Sequence, residues 1–320
     1  MKRKRTGFTV VEILTVVTII AILLGVLLPT FNMVRGFAKE TRQKAQFASI
    51  EMALMAFRND YGDYPPSYGV VLPPPVLITN YCGAQKLAEA LLGWDLAGFH
   101  PDSAWRADGY DGPGLGPWTY DPDRSRGDQD GDGIDDTFYE REDLYLELGT
   151  ANAFYLGPVT DPVTSVTYPG LYSNPAPLES ATFVLCDTFN IKTMTMTGPN
   201  GETVTRKAGT PILYYRANTS SKYELGSTWP LPDQPYNSDD NVALINLGRL
   251  TQSGLFGEAH KLVNTTPNSD EVAFYDYITD PQLFASTGKR LPYNPDSYIL
   301  ISAGLDGLYG TEDDITNFGN

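Results

Sequence analysis

The residues with the clearest chemical potential are carboxylates. Asp128-Gln129-Asp130-Gly131-Asp132-Gly133-Ile134-Asp135-Asp136 alternates acids around glycines in the manner of a D-x-D-x-D-G calcium loop, whose oxygen ligands wrap a hard cation. The ligands it offers are Asp128, Asp130, Asp132, Asp135 and Asp136. The twelfth position is Tyr139 and Glu140 follows it, so the closing glutamate of an EF-hand is displaced. A second acidic stretch near the C-terminus, Ser302–Gly307 followed by Glu312–Asn317, offers the same oxygen chemistry. Against both stands the reading of a solvated acidic loop. The third notable carboxylate, Glu12, lies near the start of an apolar run, where an ionised acid costs roughly 2.5–3.5 kcal/mol or more and needs a partner or a proton.

Other chemistry is sparse. No G-x-S-x-G, H-E-x-x-H, Walker A or helix-opening G-x-G-x-x-G occurs. His100 and His260 are the only histidines and read as surface or packing residues. Acid pairs are abundant enough to leave a glycosidase dyad open, although their setting in glycine-rich loops favours cation binding. The 20 tyrosines could meet carbohydrate, but in a β-rich domain they serve more often as strand and core residues. Cys82 and Cys186 are the only cysteines, either one bridge or two separate buried thiols. With 39 acidic and 23 basic residues the net charge is −16, which opposes a nucleic-acid surface.

The elements that must carry these groups begin with Phe8–Leu28, 21 residues that as a helix span about 31 Å and match a bilayer core. Lys2, Arg3, Lys4 and Arg5 precede it, so the positive-inside bias keeps the N-terminus cytoplasmic and places everything after Pro29 outside. No small-residue cleavage site follows the run, as a secretory signal would require. Instead Phe31, Val34, Ala38, Phe47, Ile50, Leu54 and Phe57 continue one apolar helical face, with a kink expected at Pro29. Asn59–Gly62 and Pro65-Pro66 stop the helix. A cut between Gly7 and Phe8 would create an α-amino group four residues before Glu12, able to pair with Glu12 of a neighbouring copy. The alternative is a simple anchor from which Glu12 snorkels to the headgroups.

K-R-x-G followed by F-T-x-x-E and a long apolar run resembles the class III signal of type IV prepilins and pseudopilins. The resemblance implies that a prepilin peptidase cuts after Gly7 and methylates Phe8, that Glu12 registers adjacent subunits, and that Pro29 is the family's helix proline. It covers residues 1–66, and Phe57–Pro65 also looks like the helix end and Tyr-Pro entry of major type II secretion pseudopilins. By the same resemblance the C-terminal stretch is similar to their calcium loop, with Asp306 and Asp314 as best ligands, Glu312 aligned with a further acid and Asp313 at a spacer position.

After Pro66, Gly83–Leu96 reads as a surface helix packed on a core, and Ala181–Cys186, Ile212–Arg216, Val242–Leu247 and Ser297–Ser302 read as strands of an antiparallel sheet. The fold class is α+β. The resemblance implies a pilin fold, a long N-terminal helix on an antiparallel sheet, divided into leader 1–7, transmembrane and assembly helix 8–60, and periplasmic head 61–320 with a large loop-rich insertion at about 95–235. The expected function is a structural subunit of a type II secretion pseudopilus rather than an enzyme. Its expected partners are the prepilin peptidase, other pilin subunits, an inner-membrane assembly platform and membrane lipid, with no nucleic acid. A minor pilin in adhesion, motility or DNA uptake, or a membrane-anchored periplasmic enzyme or binding protein, are the alternatives.

Overall fold

The computed structural model describes residues 7, 9–68, 71–72, 76–77, 80–109, 119–120, 136–160, 165–197, 202–220, 235–255, 257–262 and 270–319. The chain divides into two units, Met1–Arg42 and Gln43–Asn320, and the first helix, α1 (Val10–Tyr61), runs from one into the other. Within the described residues no helix is long and apolar enough to cross a membrane. Phe8 and the side chains of 26–32 lie outside the description, and with them part of the expected span and the expected kink at Pro29.

In the second unit, α1 is followed by β1 (Val71–Leu72), β2 (Val76–Leu77), α2 (Gly83–Leu92), α3 (Leu148–Ala151) and β3 (Ala153–Tyr155). Then come β4 (Val159–Thr160), β5 (Thr167–Tyr168), β6 (Phe183–Leu185), β7 (Lys192–Thr197), β8 (Thr203–Ala208) and β9 (Leu213–Arg216). The chain closes with α4 (Val242–Ile245), α5 (Asp270–Ile278), α6 (Pro281–Thr287), β10 (Tyr298–Ser302) and β11 (Ile315–Thr316). All strand pairs among the described residues are antiparallel: β1 with β2, β3 with β6, β4 with β5, β7 with β8, and a three-stranded sheet in the order β11-β10-β9. The architecture is therefore α+β, a long N-terminal helix followed by several small sheets, consistent with a pilin-like fold. β9, although it falls within 95–235, is hydrogen-bonded to β10 along four residue pairs, from Tyr298 opposite Arg216 to Ile301 opposite Leu213.

The C-terminal part of α1 forms this unit's spine because its apolar residues recur at helical spacing. Phe47, Ile50, Ala53 and Leu54 are buried against Leu185, Ile212, Tyr214, Tyr298 and Leu300. Gln43 and Gln46 are buried on the same helix and act as hydrogen-bonding pegs. The Thr188 amide donates to Gln43 Oε1 at 2.8 Å, and Gln46 Nε2 donates to the carbonyls of Thr150 at 3.0 Å and Cys186 at 3.0 Å. Polar backbone groups of α3 and of the segment after β6 are thereby satisfied by side chains of α1.

Two sequence expectations change here. The helix starting at Gly83 is no surface helix: every residue of α2, including Lys86 and Glu89, is buried. Its N-terminus is sealed by Asn241, whose Oδ1 accepts from the Ala84 amide at 2.9 Å and whose Nδ2 donates to the Tyr214 carbonyl at 2.7 Å. A Cβ at Gly83 would lie 2.3 Å from that carbonyl, so glycine permits the close approach. The second change is at Val242–Leu247, where the expected strand is the short helix α4. Asn241, fixed by its two buried bonds to Ala84 and Tyr214, turns the chain after the 3-10 turn Ser238–Asp240, and these distant contacts override the β-branched pattern. The other three expected strands coincide with β6, β9 and β10. Cys82 and Cys186 are both free and buried, which decides for separate thiols, and burial pushes the Cys82 thiol up to about 11.

Candidate functional site: the N-terminal segment and the acidic loops

The N-terminal segment is built by Thr9 and Glu12. Thr9 precedes the first helical residue, and its hydroxyl accepts from the Glu12 amide at 3.2 Å. Glu12 Oε2 in return accepts from the Thr9 amide and the Thr9 hydroxyl, each at 2.8 Å. This is a reciprocal capping box, T-x-x-E, which satisfies amides that the first turn leaves without partners. The signature stands in the sequence as Thr9-Val10-Val11-Glu12 directly before an apolar run, and it gives Glu12 a role within its own chain besides any role between chains.

Gly7 is exposed, and a Cβ added there would meet nothing within 4 Å. Among the described residues nothing crowds that position. Phe8 lies outside the described residues. The helix beyond is apolar on all sides: Val10, Val11, Ile13, Leu14, Val16, Val17, Ile19, Ile20, Ile22, Leu23 and Leu24 are each 49–79% exposed. A helix hydrophobic all round calls for an apolar surrounding, lipid or other helices.

The C-terminal loop joins β10 to β11 and is held closed by its own carboxylates. Asp313 Oδ2 accepts from the Leu305 and Asp306 amides at 2.7 and 2.9 Å, and its Oδ1 from the Thr311 hydroxyl at 2.7 Å. Asp306 Oδ1 accepts from the Leu308 amide at 2.7 Å. Asp314 Oδ2 accepts from the Gly310 amide at 2.7 Å and the Tyr277 hydroxyl at 2.8 Å. Partial burial raises Asp313, but the donors on it outweigh this and hold its carboxyl below the usual range. Burial pushes Asp314 up to about 7, with the Asp313 charge adding to the rise, against the pull of its donors Tyr277, Gly310 and Thr311. Asp313, expected as a spacer, is thus the residue that ties the two ends of the loop together. No hydrogen bond of Glu312 enters this arrangement.

Among the described residues no group of three or more His, Cys, Asp or Glu is arranged to hold a metal ion. The donor chemistry of the C-terminal loop is nevertheless that of a hard cation, and an ionised carboxylate keeps acceptor capacity beyond one or two amide bonds. Of the first acidic loop, Asp128, Asp130, Asp132 and Asp135 lie outside the described residues. Asp136 opens the 3-10 turn Asp136–Glu140, its side chain likewise outside the description.

Both histidines are packed inside the head. His100 Nδ1 accepts from the Asp102 amide at 3.1 Å. His260 Nδ1 accepts from the Tyr309 amide at 3.0 Å, its ring lies 4.5 Å from that of Tyr309, and burial holds its pKa down at about 4.

Sequence reading passed over a buried polar cluster around α2. The Tyr81 and Ser103 hydroxyls donate to Glu89, Lys86 Nζ donates to the Tyr68 carbonyl, and the Ser67 hydroxyl donates to Asp240 Oδ2 at 2.5 Å. Burial pushes Glu89 and Asp240 each up to about 7. The helical period of α2 marks an apolar face but carries no signal that its polar face is buried too.

Residues 2–28 match the family model described as the prokaryotic N-terminal methylation motif. No curated protein and no solved structure matches the chain. The match includes Gly7, Phe8 and Glu12, and by it the chain carries the class III signal of a pilin-like protein, the mark of prepilin-peptidase processing and of assembly with other pilins.

Proposed function

We propose that this chain is a structural subunit of a type II secretion pseudopilus, cut between Gly7 and Phe8, methylated on Phe8, and polymerised through α1. The observation that carries the reading is the helix Val10–Leu24, apolar on every side and exposed throughout, with a single carboxylate at Glu12. Such a helix gains stability only in lipid or among copies of itself, and a carboxylate there calls for a cation. The α-amino group released at Phe8 supplies one on a neighbouring subunit. Gly7, which nothing among the described residues crowds, fits a residue selected by a peptidase.

The same helix supports assembly further along. Phe47, Ile50, Leu54 and Phe57 are buried in the head, while Met52 and Met55 on another face are 65% and 57% exposed. That outer apolar face serves subunit contacts. The basic residues 2–5 stay in the cytoplasm, the helix anchors in the inner membrane, and the head lies in the periplasm until an assembly platform extracts the subunit.

We further propose that calcium binds the C-terminal loop through Asp306 and Asp314, Asp313 having the structural role. Calcium in excess over its Kd would stabilise the head by mass action. The expected result is a rise in melting temperature with calcium that a chelator reverses and that Asp306→Ala abolishes. An unchanged melting temperature refutes the site.

The filament reading is tested by co-expressing the full chain with a type II secretion assembly system and recovering sheared filaments. The chain is expected in the filament fraction, and a Gly7 variant that blocks cutting is expected to remain in the membrane. Equal recovery of both would overturn the reading.

A further inference from the structure

Between the end of α1, the end of β9 and the 3-10 turn Ser238–Asp240 lies a cavity of about 660 Å³, within the roughly 300–1,000 Å³ span of small-molecule sites. Its walls include Asp63, Tyr68, Arg216, Asn218, Asp239 and Asp240. Tyr68 lines this cavity and is 55% exposed, with Lys86 Nζ 6.0 Å from its ring centroid, whereas Tyr214, Tyr215 and Tyr236 are buried. Arg216 is paired with Asp63, so its charge is neutralised locally. Asp239 is exposed, whereas Asp240 forms a buried floor only 6% exposed. Its Oδ2 is occupied by Ser67, and its Oδ1 has no hydrogen-bond partner among the described residues. A buried acceptor without a donor is unfavourable, and a ligand hydroxyl brought to it relieves that cost.

We propose that this cavity is a carbohydrate-binding site for neutral or amino sugars. A pyranose has one face of C–H groups, which packs on an aromatic ring, and an edge of hydroxyls, which donate to carboxylates and amides. Tyr68 offers the ring, and Asp239, Asp240 and Asn218 offer the acceptors. Asp63 and Arg216 neutralise each other, and burial raises Asp240 beside Lys86, which leaves the exposed carboxylate of Asp239 to disfavour an anionic sugar. The mixture of one exposed aromatic with several oxygens separates it from an apolar cavity that would take lipid. The proposal does not depend on the filament reading, since every residue it uses lies in the second unit.

The test uses the full chain in a detergent free of sugar headgroups, with glucose, maltose, N-acetylglucosamine, glucosamine and glucuronate as probes, read by saturation-transfer NMR and titration calorimetry. At least one neutral or amino sugar is expected to bind, and glucuronate to bind more weakly. Tyr68→Ala and Asp239→Asn are each expected to weaken that binding about tenfold or more with the melting temperature unchanged. Both positions are exposed, so both variants fold. Binding of none of the sugars, a preference for glucuronate, or binding undiminished in both variants would overturn the proposal.

Discussion

Glu12 holds two positions at once, closing residue of a capping box and sole carboxylate of an apolar run, and substitution separates them. Glutamine keeps the reciprocal bonds of a capping box but carries no charge. Glu12→Gln is therefore expected to leave hydrogen exchange at residues 10–13 unchanged while filament yield collapses. Thr9→Ala should loosen the first turn by about 0.5–2 kcal/mol and leave the charge in place. Wild-type assembly of Glu12→Gln would reduce Glu12 to a cap. Glu89 gives the second prediction at this scale. Burial raises its carboxyl from 4.5 to about 7, so between those values the folded state holds a proton that the unfolded chain has released, and stability falls as pH rises. His260 works oppositely: lowered from 6.5 to about 4, it adds stability as pH rises through that interval. Glu89→Gln mimics the protonated acid, so urea midpoints should match wild type at pH 5 and exceed it at pH 8. Equal midpoints at both would show that Glu89 is already neutral at pH 8 or carries no burial cost. Of these residues, Glu12 stood out by its type in an apolar run, whereas Glu89 did not, because nothing local in Lys86-Leu87-Ala88-Glu89 shows that α2 is covered on its polar side.

At the scale of elements, α1 carries the head, and its contacts set the penalties for change. Leu54 is fully buried beside Leu185, Tyr214 and Leu300, so Leu54→Ala is expected to cost about 2–5 kcal/mol in denaturant unfolding. Met52→Ala, on the exposed face, should leave the isolated protein's stability nearly unchanged and act only on assembly. Gly83→Ala drives a methyl into the Tyr214 carbonyl and should lower the unfolding midpoint sharply; a neutral result would show that α2 can slide. α1 was legible because Phe47, Ile50, Leu54 and Phe57 keep one period over several turns. The hairpin β7–β8 was readable but passed over: Lys192–Thr197 and Thr203–Ala208 flank Gly198-Pro199-Asn200-Gly201, a turn signature. α6 likewise shows its caps, Asp280 accepting from the Gln282 and Leu283 amides, Pro281 at the first position, and Gly288 closing in a left-handed turn. α4 was misread because the force that bends it, buried Asn241, acts through partners at Ala84 and Tyr214, far away in sequence.

At the scale of the whole molecule, the first unit carries an exposed apolar helical stretch, Val10–Leu24, and the second is an acidic, hydrogen-bonded head. The division follows from composition: the basic residues 2–5 and the apolar run that follows them can be read directly, and they match the N-terminal methylation motif. The head could not be read so fully, because its small sheets are assembled by pairings between distant segments, β9 with β10 and β3 with β6, that no local pattern announces. The central claim, that this chain is a processed filament subunit, rests on the bond between Gly7 and Phe8. Its most direct test is the mass of the mature N-terminus in membranes made with and without prepilin peptidase. The account predicts a chain beginning at N-methylated Phe8 only when the peptidase is present; a chain that still begins at Met1 in its presence would contradict it.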